Sequence, residues 1–262
     1  LSPALIENYV IPLTAAIWST EPARALDTPA RFILQFLDNH RLLGTTGYHP
    51  WRVIRGGSRR YVERLIVPFA DRIRLRTPVR RLQRSAEGVK VSTDEGIESF
   101  DQVVVATHSN QALVMLDAPS PAEVEVLGAI SYQSNHAVMH TDESVLPERK
   151  KAWASWNYRI PREAGRPVAV HYNMTRLQSL PVDSAYCVSL NTDSEIAHEA
   201  RIADFDFEHP LFTEAAVAAQ DRHAEISGTD RIHYCGAYWR HGFHEDGVVS
   251  ALAVCQQFGA TL

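Results

Sequence analysis

Cysteine is scarce in this 262-residue chain: Cys187, Cys235 and Cys255 are odd in number and no two form a C-x-x-C pair. That scarcity excludes a disulfide framework and a thiolate metal site, and points to a reducing compartment, the cytoplasm. Long apolar runs are also missing. Stretches such as Val103 to Ala106 and Val248 to Val254 fall far short of the roughly 20 residues a spanning helix requires. There is no G-x-S-x-G elbow, no P-loop and no G-x-G-x-x-G, so a nucleophile-elbow hydrolase and a complete dinucleotide-binding unit are not written in these residues. The first twenty residues lack the basic start and apolar core of a secretory signal. Residue 1 is Leu rather than Met, and the expectation is a piece of a longer protein. A hydrophobic content of 45% suits one or two domains with a sizeable core and argues against disorder.

The net charge of −5 hides an asymmetry. Residues 52 to 84 hold 11 Arg, no Lys and only Glu63 and Asp71 as acids, a local +9 against −14 elsewhere. Clustered Arg can neutralise phosphate, but a nucleic-acid partner is disfavoured, because Arg72, Arg74 and Arg76 alternate with Ile73 and Leu75 as on the wet face of a strand. The alternative is that these guanidinium groups face a partner surface or an anionic cofactor.

Along the chain, Leu5, Ile6, Tyr9 and Val10 and then Phe32, Ile33, Phe36 and Leu37 keep a helical period, with Pro12, Pro22 and Pro29 as breaks. Val53 and Ile54 lead through Gly56-Gly57-Ser58 into a helix with an apolar face of Tyr61, Val62, Leu65, Ile66 and Phe69. The reading is strand, glycine turn and helix, with Ser58 as cap. Strands are expected over 72–76, 79–84, 88–92 and 97–106, the last buried on both faces. Further strands at 137–140, 168–172 and 186–190 alternate with helices at 111–116, 121–129 and 213–226. A strand over 231–235, a glycine-bearing loop and a buried apolar helix over 248–258 complete the chain.

Two glycine turns carry the candidate chemistry. Gly56-Gly57-Ser58 would let backbone approach a ligand, although glycine is also the ordinary turn residue. In Gly242-Phe243-His244-Glu245-Asp246-Gly247, Gly247 would offer bare amides to a phosphate or a flavin carbonyl and Phe243 could press on a ring; equally, Glu245 and Asp246 could simply complement a helix dipole. His241-x-x-His244 lacks the spacing of a zincin helix, so no metal site is expected. Trp153, Trp156 and Tyr158 could line an apolar pocket, with ordinary packing the favoured reading.

Taken in order, Phe36 to His40, Trp51 to Ser58 (WRVIRGGS), Tyr61-Val62, Thr77 to Val79, Phe100 to His108 (FDQVVVATH), Ala152 to Tyr158 (AWASWNY) and Ile232 to Ser250 (IHYCGAYWRHGFHEDGVVS) resemble the flavin-containing amine oxidase family, and its bacterial branch of FAD-binding oxidoreductases in particular. The resemblance implies a mixed α/β fold. A partial, Rossmann-like FAD domain would occupy 49–115 and 231–262 without its N-terminal βαβ unit, and a mixed-sheet and helix substrate domain would occupy 1–48 and 116–230. It implies FAD as cofactor, with Gly56, Gly57 and Ser58 at the flavin side, Val79 reading the adenine end by its backbone, and Gly236, Gly242, Phe243, Glu245, Gly247 and Val248 in the C-terminal flavin loop and helix. Two positions depart from the family pattern. Ala237 stands where many members have an acid, and His136 falls where many amine oxidases place a Lys near flavin N5. Its implied role is the polar catalytic group. The expected function is hydride transfer from a small-molecule C–H bond to flavin, by amine oxidation or by desaturation of an apolar or lipid substrate. The rival is a flavin-free partner- or lipid-binding module. Without the glycine fingerprint, this chain alone is expected to bind FAD weakly or not at all.

Overall fold

The structure is a computed structural model that describes residues 2–44, 46–47, 50, 52–160, 169–192 and 196–260. Trp51 and Val168 lie outside the described residues. The helices are α1 (Pro3–Leu5), α2 (Ile11–Trp18), α3 (Ala30–Asn39), α4 (Arg59–Ile66), α5 (Ser109–Met115), α6 (Pro121–Gly128), α7 (Met174–Leu177), α8 (Glu214–Asp221), α9 (His223–Ile226) and α10 (His244–Gln257). The strands are β1 (Val79–Arg84), β2 (Val89–Thr93), β3 (Gly96–Phe100), β4 (Val103–Val105), β5 (Tyr132–His140), β6 (Trp156–Arg159), β7 (Ala169–Asn173), β8 (Cys187–Leu190), β9 (Arg201–Pro210) and β10 (Ile232–Tyr234).

Several expectations are corrected. Pro12 does not end a helix: it sits in the first turn of α2, where its missing N–H is tolerated, after a π-helical turn over Ile6–Val10. Residues 72–76 are not a strand; a 3-10 segment, Val67–Arg72, runs into a turn. The expected strand over 97–106 is broken at Asp101-Gln102 into β3 and β4, which belong to different sheets. Nor is it buried on both faces, since Val104 is 47% exposed. The C-terminal helix starts earlier than expected, at His244, and is not buried all round: only Asp246, Ser250 and Val254 are buried.

The chain forms two compact units. Unit 1 comprises Leu1–Leu26, Leu37–Ala70 and Gln133–His209; unit 2 comprises Asp27–Phe36, Asp71–Tyr132 and Pro210–Leu262. Residues 49–70 therefore cluster with unit 1, and 116–132 and 210–230 with unit 2.

Unit 1 is built on a five-stranded sheet in the order β6-β7-β8-β5-β9. Because side chains alternate across a sheet, Val138, Ser189, His171 and Asn157 share one cross-strand row. A buried polar chain joins Ser189 and His171 of this row to His140, two residues beyond Val138 on β5. The Asp142 amide donates to His140 Nδ1 at 3.1 Å, so the proton of His140 is on Nε2 and goes to Ser189 Oγ at 2.7 Å. The Ser189 hydroxyl then donates to His171 Nδ1 at 2.7 Å, which leaves the His171 proton on Nε2. That nitrogen is buried and has no hydrogen-bond partner among the described residues. Burial, with Arg159 and His140 adding to it, pushes His171 down to about 4, and burial lowers His140 as well.

Unit 2 contains an antiparallel meander, β1-β2-β3, and a parallel pair, β4 with β10, in register Val103↔Ile232 to Val105↔Tyr234. Its core gathers Leu82, Val89, Val126, Leu127, Ile226 and Tyr234 with their neighbours. Through this core runs Glu123, at 2% exposure. Its carboxylate accepts the Ser120 amide at 2.8 Å, closing a capping box with the Ser120 hydroxyl at the start of α6. It also accepts the Tyr234 hydroxyl from β10 and the Arg84 guanidinium from β1. Burial alone would raise its pKa, but the bonds from Tyr234, Ser120 and Arg84 prevail and hold the carboxyl below the usual range.

Two outcomes are expected. Glu123→Ala strands a buried phenol and a guanidinium and costs about 3–5 kcal/mol in urea unfolding, whereas Glu123→Gln, which keeps the shape and the cap, costs less. An unfolded histidine takes up its proton near 6.5 while folded His171 resists to about 4. Its contribution is therefore full above neutral pH and falls as pH drops through that window, by about 2 kcal/mol at pH 5 relative to pH 7. The urea midpoint of His171→Gln is correspondingly less sensitive to acid.

Candidate functional site

Gly56 and Gly57 form a tight turn with φ of +83° and +84°, a region that favours glycine. A Cβ at Gly57 would meet nothing within 4 Å, so open space lies over that position. At Gly56 it would approach the Arg60 side chain at 3.1 Å. The flanking expectations fail: Val53 and Ile54 form no strand, and Ser58 is in helical conformation with no capping bond from its side chain. The apolar face of α4 is not buried either; Leu65 is 63% exposed.

The C-terminal loop and helix lie in unit 2. Gly236 is extended, and a Cβ there would run into the Tyr238 ring, so packing explains this glycine. Gly242 has φ of +92° and lies under the Phe212 ring. Phe243 stacks on Phe36 with centroids 5.2 Å apart and keeps 36% of its surface exposed; Phe32, Phe212 and His241 extend the aromatic cluster. Gly247 lies inside α10 and its amide donates to the Phe243 carbonyl at 3.1 Å, so it is not a bare donor. Val248 is exposed within the same helix. The acid that caps the helix is Asp246, which accepts the Phe243 amide at 3.0 Å and pairs with Arg240 at 3.5 Å; Glu245 remains exposed. The dipole-complementing alternative is thus realised by Asp246.

Val79, at the head of β1, lines a cavity of about 760 Å³ together with Pro78, Val103, Val105, Asn110 and Met115. The cavity runs along β4, whose only strand neighbour among the described residues is β10.

His136, on β5 in unit 1, lies between two carboxylates of β9: Nδ1 is 2.7 Å from Asp206 and Nε2 3.3 Å from Asp204, which also pairs with Arg201. The predicted site residues therefore divide between the units: Gly56, Gly57, Ser58 and His136 in unit 1, and Val79, Gly236, Gly242, Phe243, Glu245, Gly247 and Val248 in unit 2.

The aromatic trio also separates. Trp153 packs on a small core and donates to the Pro147 carbonyl at 2.7 Å, whereas Trp156 lines a second cavity, of about 450 Å³, with Val53 and Arg176. Burial pushes the Tyr158 phenol up to about 12. Sequence reading missed Arg176 and the two Asp on β9, because each depends on a pairing of distant segments. No cluster of His, Cys, Asp and Glu suited to a metal occurs among the described residues. The arginine-rich segment is partly neutralised within unit 2, where Arg74 pairs with Glu98, Arg80 with Asp94, and Arg81 with Asp117.

Residues 21–179, more than half the chain, match the family of flavin containing amine oxidoreductases. No curated protein matches by sequence. Among solved structures, the chain is similar to the CLA-producing fatty acid isomerase from P. acnes (14% identity, TM-score 0.64, covering 97% of this chain and 63% of that one). It is also similar to cyclohexylamine oxidase from Brevibacterium oxydans IH-35A (13%, 0.63, 99% and 66%) and to reduced UDP-galactopyranose mutase (10%, 0.63, 100% and 67%). At these identities the likeness is one of fold, and the chain spans under two thirds of the first of these structures. No helix among the described residues is long and apolar enough to cross a membrane.

The two glycines with different reasons respond differently. Gly57→Ala costs about 1–2 kcal/mol from the left-handed backbone alone and leaves the near-ultraviolet dichroism intact. Gly236→Ala overpacks by about 1–3 kcal/mol and changes the near-ultraviolet signal of Tyr238.

Proposed function

Because the chain belongs to the flavin-containing amine oxidoreductase family, we propose that the intact protein is an FAD-dependent oxidoreductase acting on a C–H bond of a small molecule. FAD, when bound, supplies the acceptor for the hydride. The residues present suit parts of that cofactor. The cavity beside Val79, with apolar walls at Val103, Val105 and Met115, suits a flat heterocycle such as the adenine end, and this observation carries the reading. Open space over Gly57 suits close backbone approach, and Phe243 has surface left to lie against a ring. Gly56, Ser58, Gly236, Gly242, Glu245, Gly247 and Val248 complete the proposed cofactor-binding set, with Gly236 and Gly247 acting through packing and helix geometry. His136, clamped by Asp204 and Asp206, would hold or exchange a proton at its ring nitrogens beside the reacting bond. A histidine where many relatives place Lys leaves desaturation of an apolar or lipid substrate beside amine oxidation.

One observation favours the flavin-free binding module: the Asp246 carboxylate already occupies the Phe243 amide at the start of α10, where an anionic ligand would compete with it.

The test is to express the whole reading frame that encodes this chain. The product is expected to purify yellow, with a flavin spectrum that weakens in Phe243→Ala, while the 262-residue chain alone shows no saturable FAD binding. A colourless whole product, with Phe243→Ala indistinguishable from it, establishes the binding module instead.

A further inference from the structure

The cavity of about 450 Å³ in unit 1 falls within the size range of ligand pockets, about 300–1,000 Å³. Its apolar walls are Val53, Ala154, Trp156 and Leu177. Its polar lining residues are Ser155, Ser179 and one cation, Arg176; among the described residues no acid lines it.

Local structure holds this wall in place. The Asn173 side chain caps α7 by accepting the Arg176 amide at 3.0 Å. The Thr175 hydroxyl bridges the next segment, donating to the Ser184 carbonyl and accepting the Tyr186 amide, both at 2.9 Å. On the facing strand, Trp156 packs edge-on against Tyr172, and the Tyr172 hydroxyl donates to the Ala16 carbonyl at 3.0 Å. The Arg176 guanidinium has no carboxylate partner among the described residues, in contrast to Arg74, Arg80, Arg84 and Arg222. A largely apolar slot whose described lining holds one cation and no acid is complementary to an amphiphilic anion. An ammonium group entering it would meet a like charge, with no acid among the described lining residues to offset it.

We infer that this cavity binds a monocarboxylate with an unbranched apolar tail, the carboxylate at Arg176 and the tail between Trp156, Leu177 and Val53. The inference deepens the proposed oxidoreductase function by choosing a lipid-like acid over an amine as substrate class, and it rests on that reading only for the chemistry after binding.

Titration of the 262-residue chain with decanoate, monitored by calorimetry and tryptophan fluorescence without flavin, tests it. Decanoate is expected to saturate the chain and to bind more tightly than decylammonium. Arg176→Gln weakens decanoate binding about tenfold, Arg176→Lys restores part of it, and Val53→Trp, which fills the slot, removes it with the fold intact by circular dichroism. Tighter binding of decylammonium, or decanoate binding that is indifferent to Arg176→Gln, overturns the inference. Because no flavin is used, the two readings fail separately. A colourless whole product that still binds decanoate through Arg176 defeats only the oxidoreductase, and a yellow product without that binding defeats only the carboxylate site.

Discussion

Unit 2 depends on one buried carboxylate. Glu123 must be ionised to accept Tyr234, Ser120 and Arg84 at once, and an unpaired ion at that depth would cost several kcal/mol. Each donor comes from a different element: the head of α6, the end of β1 and the last residue of β10. Satisfying the charge therefore fixes three elements together. The same constraint pushes the Tyr234 phenol above its ordinary value, through burial first and the neighbouring carboxylate second. It also sets β10 where it can pair with β4, whose valines line the cavity that Val79 rims.

What could be read from the sequence was what local chemistry dictates. The helix from Pro121, the strands at 79–84 and 88–92 with the turn between them, and the Gly56-Gly57 turn all follow from patterns over short stretches of chain. Elements whose character comes from distant partners were misread. Val104 belongs to a run that reads as fully buried, yet one of its faces is open. Val248 to Phe258 read as an interior helix because of its composition, but the buried stripe passes through Asp246, Ser250 and Val254, two of them polar. Ser58 has the chemistry of a cap, but the glycine turn before it delivers the backbone already helical. His171 and Arg176 gave no signal at all, since the row through Ser189 and the wall beside Trp156 exist only once β6, β7 and β8 are paired.

The arginine-rich segment illustrates why net charge is a poor guide to partners. Arg74, Arg80 and Arg81 sit opposite acids contributed by the meander and by Asp117, a surface arrangement worth little individually to stability. It nevertheless offsets part of the positive charge that the composition suggests. Arg84 differs from these because its partner, Glu123, is buried. Part of the charge that looks available to a phosphate backbone is thus paired with acids of unit 2.

The parallel pairing of β4 with β10 also sets a timetable for synthesis. Val103 emerges nearly half a chain length before its partner Ile232, whereas β5 to β9 come close together in the chain and assemble into one sheet within unit 1. Long-range parallel pairing is slow, and it cannot begin before both strands exist. On the ribosome the pairing of β4 with β10 therefore waits until Ile232 has emerged, by which point all five strands of the unit 1 sheet have already been made.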